Sequence, residues 1–441
     1  MNREKEMFPT FAKLSKRIPV SWYEHLGFIL LAVLCGGLLL EQITVLYFGF
    51  RCFELVYTFA GIMMIVLDLL YFCFLLRSRE HAIAKVFCIA DWALMFFLVW
   101  CAISVCLSED PVYCFVGSKY RKEGLATYFI YAGVVATSGM MHKQEFQRIL
   151  LRIVAVSGFV LAVYAWAWEG RTVPESSIIA ELHPGMLEIG GFTSVFHNSN
   201  HFGYYLTMAI LIQAGMFLLE VQLLWRWMAL GMFLVCFFVL LLNNTFGGFL
   251  AVTLGLLFLF VIVLYRDRRK CVGCALLAVC WLAMLLLSQI KDNTMGKNFS
   301  DLGAVVQGYS EIRSTASQRL DMWHHCLEQI WENPIFGTGL EGAGKVVFLT
   351  SLDRPHNEYL QHALFTGIPG LMAYLTALVF LLIRCVLRLK KLSAQGLILG
   401  AAIFGYCVSA FVGNTMYYTT IFYAMMLGLL IGSVRAQENP K

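Results

Sequence analysis

The sequence predicts an all-α, polytopic integral membrane protein with about twelve transmembrane helices and a large extracytoplasmic loop containing an interfacial helix. Three observations carry that prediction. Of 441 residues, 59% are hydrophobic and only 14% charged, with 35 Phe, 19 Tyr, 10 Trp and a mean hydropathy of +0.72. Soluble domains carry roughly a quarter of their residues as charges, so this chain lacks the polarity to cover a water-facing surface of its length. Apolar runs of span length recur along the chain, centred near residues 37, 65, 95, 132, 158, 210, 234, 256, 280, 373, 404 and 426. Each is long enough for the roughly 20 residues that a bilayer crossing requires. Finally, the cations sit in short clusters between these runs and form no basic stripe, which excludes nucleic acid as a partner.

Residues 1–25 form a tail with Arg3, Lys5, Lys13, Lys16 and Arg17 but no signal-peptide core and cleavage site, so the first span is retained. With this tail in the cytoplasm, the inner loops hold clusters such as Arg266, Arg268, Arg269 and Lys270, or Arg384, Arg388, Lys390 and Lys391. The count is then 22 basic residues inside against 11 outside. That bias satisfies the positive-inside rule and makes both termini cytoplasmic, in a plasma (inner) membrane. Spans 1–9 occupy residues 26–290, with outside segments near 108–124 and 169–198. A long outside loop covers 291–359, spans 10–12 fill 360–434, and 435–441 is an inner tail. The 14 cysteines lie mostly within apolar runs and suggest no disulfide framework; the lone pair Cys271 and Cys274 opens a span.

A loop of some seventy residues in so economical a chain is expected to carry function. Within it, Leu320, Trp323, Leu327, Ile330 and Trp331 recur at helical spacing, and Asn333-Pro334 stops the run. The expectation is a helix near 317–332 on the outer leaflet with both tryptophans at headgroup level. Arg319 falls in its first turn, where a cation opposes the helix dipole unless an anion is shared there. After the loop comes Asp353-Arg354-Pro355-His356-Asn357-Glu358. Pro355 reads as the first helical residue of the tenth span, which puts His356 at a helix N-terminus, where the dipole favours the neutral ring able to accept a proton. His356 is the candidate general base, with Asn357 or Glu358 as orienter.

Two more outside clusters could hold a polar, anionic substrate: Arg121 with Glu123 in GSKYRKEGL, and Asn198, Asn200 and His201 in HNSNH. His197 and His201 are four apart, but neither an intervening Glu nor a third ligand accompanies them, so no metal site is expected. Glu41, Glu54, Asp68 and Asp91 lie within or near spans, without visible arginine partners at equal depth. Such carboxylates keep a second reading open, a multi-pass transporter or lipid flippase, although pairing within the bundle accounts for them at least as well.

These segments together resemble the O-antigen ligase and O-antigen polymerase superfamily. The resemblance rests on FHNSNHFGYYL (196–206), SQRLDMWHHCLEQIWENPIFGTGL (317–340) and RPHNEYLQHALFTGIPGLMAYL (354–375), supported by 115–131 and 243–251. It implies a metal-independent glycosyltransferase, with no cofactor, acting on the outer face of the plasma membrane. The donor would be an undecaprenyl-diphosphate-linked glycan, and the acceptor a glycan, a lipid or a protein. It further implies that His356 is the base and that Arg319 engages the diphosphate. One departure stands out: where members often have Ser-Arg-Gly, this chain has Thr245-Phe246-Gly247, so Arg121 or Arg354 would have to replace the missing cation at Phe246.

Overall fold

The computed structural model describes residues 20–48, 51–77, 87–118, 121–168, 192–196, 198–291, 315–342 and 354–438. Among them are fourteen α-helices and no strands: α1 (Val20–Phe48), α2 (Phe53–Arg77), α3 (Ile89–Cys106), α4 (Pro111–Val116), α5 (Leu125–Gly139), α6 (Gln144–Trp168), α7 (Ser199–Leu219), α8 (Leu223–Asn243), α9 (Phe246–Arg266), α10 (Cys271–Lys291), α11 (Thr315–Glu332), α12 (Glu358–Leu387), α13 (Ala394–Ala410) and α14 (Tyr417–Glu438). Ten of them are long and apolar enough to cross a membrane, and α5 and α13 are shorter apolar helices. These twelve stand at the twelve expected positions.

Packing inverts the rule for soluble proteins. Of the ten long helices, α7 and α14 are the least apolar and the most buried. Their polar groups, such as Gln213, Thr207, Thr419 and Thr420, turn into the bundle, leaving the greasier α10 and α2 to face lipid. Pairs of short loops tie the bundle together at its two ends. At one, Arg51 donates to the Val195 carbonyl (3.0 Å) and Asn243 to that of Phe192 (2.6 Å). At the other, Arg266 donates to the Leu392 carbonyl (2.7 Å) and Arg152 pairs with Glu220 (3.0 Å).

The carboxylates at depth are paired within the bundle, one of the two readings the sequence left open. Asp91 accepts the Cys88 N–H (2.8 Å) and the Nε–H of Arg435 (3.0 Å), a residue 344 positions away. Glu41 accepts from the Phe53 N–H and the Tyr418 hydroxyl, both at 2.6 Å, and pairs with Arg51. Glu54 pairs with Lys122, and Asp68 accepts from Thr137 (2.9 Å). Charges hundreds of residues apart cannot be matched by eye along a sequence, because only the fold sets their depth.

Helix α12 is not one straight span. Its 30 residues would reach about 45 Å, and it breaks at Gly367, where φ is 68°. The carbonyls freed by the break are met from outside the helix. Thr338 N–H donates to Leu364 O (2.9 Å) and Gly339 N–H to Phe365 O (3.0 Å), while Ile368 N–H returns a bond to Pro334 O (2.8 Å). From α3, Trp100 donates to Thr366 O (2.9 Å) and Ser104 to Phe365 O (2.7 Å). The turn after α11 is thereby fixed against the break.

Gly367→Ala should disrupt this joint, since a Cβ there would fall on the Ile335 carbonyl in a backbone conformation hostile to alanine. The expected loss exceeds about 2 kcal/mol, read as a lower melting temperature and a smaller monodisperse fraction in detergent. Gly36→Ala, where an added Cβ meets nothing within 4 Å, is the control. Equal melts for the two variants would mean that loop and helix are not docked.

Candidate functional site

The end of the bundle that carries the α12 break also holds a small polar pocket lined by Arg121, Asn198, Asn200, His201, Tyr204, His356 and Asn414. Five of these seven were candidates from sequence alone. They arrive on four separate pieces of chain: the turn before α5, the start of α7, the segment before α12, and the α13–α14 connection. The cavity is about 30 Å³, room for a water molecule or two.

Each lining segment has a local reason for its position. Asn198 is the N-cap of α7, its side chain accepting from the Asn200 N–H (2.8 Å), which directs the first turn of α7 at the pocket. Asn357 plays the same part for α12, accepting from the Tyr359 and Leu360 N–H groups at 3.0 and 3.1 Å. The helix therefore starts at Glu358, not at Pro355. His356 stands before the cap with a left-handed φ of 47°, and Pro355 uses its carbonyl to accept the indole N–H of Trp323 (2.7 Å). Trp323 is thus turned toward the site, and of the two tryptophans only Trp331 is exposed. A left-handed histidine is uncommon and persists where its surroundings over-determine it.

Arg319 is the fifth residue of α11, past the first turn, and is not among the residues that line the pocket. Arg354, by contrast, is only 3% exposed. Its guanidinium donates to Glu341 (2.6 Å) and to the Thr415 carbonyl (3.1 Å). Glu341 also accepts the N–H groups of Ser118 and Glu123, so one buried ion pair joins three loops beneath the pocket. Glu123 is buried beside it and accepts from the Tyr131 hydroxyl. Burial pushes its carboxyl up to about 7, against the opposing pull of the Arg354 charge.

A second buried layer surrounds Glu358, whose oxygens accept from Tyr374 (2.7 Å) and Tyr406 (2.9 Å), with His362 Nε2 at 3.6 Å. His197, Lys119, most of 169–198, and 292–314 and 343–353 of the long loop lie outside the described residues.

Residues 231–375 match the family model described as O-Antigen ligase. That stretch, about a third of the chain, is similar to the O-antigen ligase family. No curated protein matches the chain. The O-antigen ligase match runs from α8 into α12 and includes Arg319, Arg354 and His356; it excludes Arg121, Asn198, Asn200, His201 and Asn414. Of the seven residues that line the pocket, His356 alone falls within the matched stretch; the other six come from segments that flank it.

Sequence reasoning missed Tyr204, Glu341, Asn414 and Thr415. The last two had a readable signal: Gly413-Asn414-Thr415 is a polar break between two apolar runs. Glu341 had none, because its importance comes from the three loops that it joins.

Because its folded-state carboxyl sits above the ordinary range, Glu123 binds a proton that the unfolded chain has already lost between pH 4.5 and 7. Its contribution is therefore lost as pH rises, on the order of 2 kcal/mol between pH 5 and 8. Glu123→Gln should flatten that part of the pH dependence of the melting temperature. An unchanged slope would show that Glu123 is ionised throughout.

Proposed function

We propose that this protein transfers a glycan from an undecaprenyl-diphosphate-linked donor to an acceptor hydroxyl on the outer face of the plasma membrane, without a metal. A membrane-bound, ligase-type glycosyltransferase follows from the O-antigen ligase domain; the donor, the face and the metal independence are our reading. The observation that carries it is the joining of His356 and Arg121 in one polar pocket.

The chemistry asks little more. The acceptor hydroxyl gives its proton to His356 as its oxygen bonds to the anomeric carbon. The bond from that carbon to the phosphate oxygen breaks, and the electron pair leaves with the lipid diphosphate. Because the diphosphate is already a good leaving group, the protein has to position the reactants and neutralise charge. Arg319 and Arg121 take that role, with Arg121 standing in for the cation absent at Phe246. Arg354 supports them from below through Glu341 and Thr415. Asn198, Asn200 and His201 offer hydrogen bonds to sugar hydroxyls.

The transport reading has one observation in its favour: a mostly apolar cavity of about 700 Å³ bordered by Asp68, the Asp91–Arg435 pair, Glu358 and His362. Asp91 is neutralised by its partner, which leaves Asp68 as the carboxylate to test.

Purified protein given lipid-linked oligosaccharide and acceptor, with products resolved by size, tests both readings. His356→Ala should abolish product, and Arg319→Lys should lower the rate at least about tenfold, since a point charge loses the bidentate grip of a guanidinium. Asp68→Asn should leave transfer intact, and the wild type should work in excess EDTA. An active His356→Ala enzyme removes the base; EDTA-sensitive activity restored by one metal removes the metal-free mechanism; loss of transfer in Asp68→Asn favours the carboxylate reading.

A further inference from the structure

A histidine can serve as a base only if one ring nitrogen keeps its lone pair, and the other nitrogen's partner decides which. Here the side-chain amide of Asn414 lies 3.3 Å from His356 Nδ1. With Nδ2 nearest the ring, the Nδ1 lone pair would be used by the amide and the ring proton would sit on Nε2, leaving no base. That orientation also leaves Asn414 Oδ1 buried with no hydrogen-bond partner. The two ends of an amide have the same shape, and hydrogen bonding decides between them. Turning this one through 180° brings Oδ1 to Nδ1–H and moves the Nδ2 amide to the place where Oδ1 met no donor.

Resting on the reading of His356 as base, we infer that Asn414 is its positioning residue: Oδ1 accepts the Nδ1–H, fixes the ring and its tautomer, and leaves Nε2 as the basic nitrogen.

The backbone around Asn414 is built for precision. Tyr204 donates its hydroxyl to the Val412 carbonyl (2.8 Å) on one side. On the other, Arg354 donates to the Thr415 carbonyl, Gln361 to Thr415 Oγ1 (2.6 Å), and the Met416 N–H to Thr420 Oγ1 (3.0 Å). A Cβ at Gly413 would strike the Tyr204 ring, so this connection sits directly against α7. His356 is held as firmly, between the anchored Arg354, the Trp323 bond to Pro355 and the Asn357 cap. Arg354 thus serves both partners, through Thr415 on one side and through the chain on the other. A supporting shell of this kind holds a site to the tolerance that chemistry needs.

Choosing an amide over a carboxylate also makes electrostatic sense. Among the described residues, the charged and titratable groups in the pocket with the ring are Arg121, His201 and Tyr204, and Arg354 and Glu358 adjoin it along the chain. An aspartate at 414 would stabilise the imidazolium and cancel part of the positive field that an anionic donor needs. Asparagine orients the ring without either effect.

The test is the ring-nitrogen spectrum of ¹⁵N-histidine-labelled full-length protein in nanodiscs, with His356 assigned by its loss in His356→Ala. We expect the Nδ1–H tautomer in the wild type and its loss in Asn414→Ala, with a rate at least about tenfold lower and little change in KM. Asn414→Asp, nearly isosteric, should keep the tautomer and move the acid limb of the pH–rate profile up by about one unit. A wild-type Nε2–H tautomer, or an Asn414→Ala protein with unchanged tautomer and rate, overturns the proposal. Whether His356 is the base is decided separately by the activity of His356→Ala, and the wild-type spectrum judges Asn414 whatever that result.

Discussion

A helix that breaks inside a membrane protein strips several carbonyls of their partners, and lipid offers no hydrogen bonds to replace them. The organisation of the site follows from how this chain meets that demand at Gly367. Backbone N–H groups of Thr338 and Gly339 come from the turn after α11, and side-chain donors Trp100 and Ser104 come from α3. Satisfying the break therefore fixes α11 relative to α12. As a result Arg319, on α11, and His356, just ahead of α12, are held in one frame although 37 residues separate them.

A second constraint lies one layer deeper. The Arg354–Glu341 pair is buried at both ends, and such pairs contribute less to net stability than their Coulomb energy suggests, because desolvation offsets it. Its value here is geometric. Glu341 has acceptors for two backbone N–H groups of the turn before α5 as well as for Arg354, and Arg354 has donors left for Thr415. Three loops that share no sequence proximity are brought to common positions by charge-assisted bonds that tolerate little displacement.

The membrane architecture was legible because hydropathy over twenty residues is a large signal: all twelve apolar helices stand where the runs predicted. Most of the pocket was legible too, because Arg121, Asn198, Asn200, His201 and His356 are polar residues at the ends of apolar runs, where a cost must have a reason. What stayed hidden depends on pairing across the chain. Arg435 reads as a cation of the last helix until the fold lays it against Asp91. Arg354 reads as a substrate ligand until Glu341 is seen to occupy it. Trp323 looks like an interfacial anchor, and no periodicity reveals that its indole meets the Pro355 carbonyl. The start of α12 was misread by three residues because proline suits a first turn in general, whereas Asn357 supplies the cap here.

The dependence of the α12 break on α3 has a consequence for biogenesis. Trp100 and Ser104 are synthesised some 260 residues before the carbonyls they meet. Until the last third of the chain is inserted, those donors sit on a helix with nothing to receive them, and when α12 arrives it finds half of its docking surface already in place. The frame of the polar pocket would then be among the last features to form, so that an early-arrested chain would be well inserted and hydrophobically packed yet hold no assembled pocket.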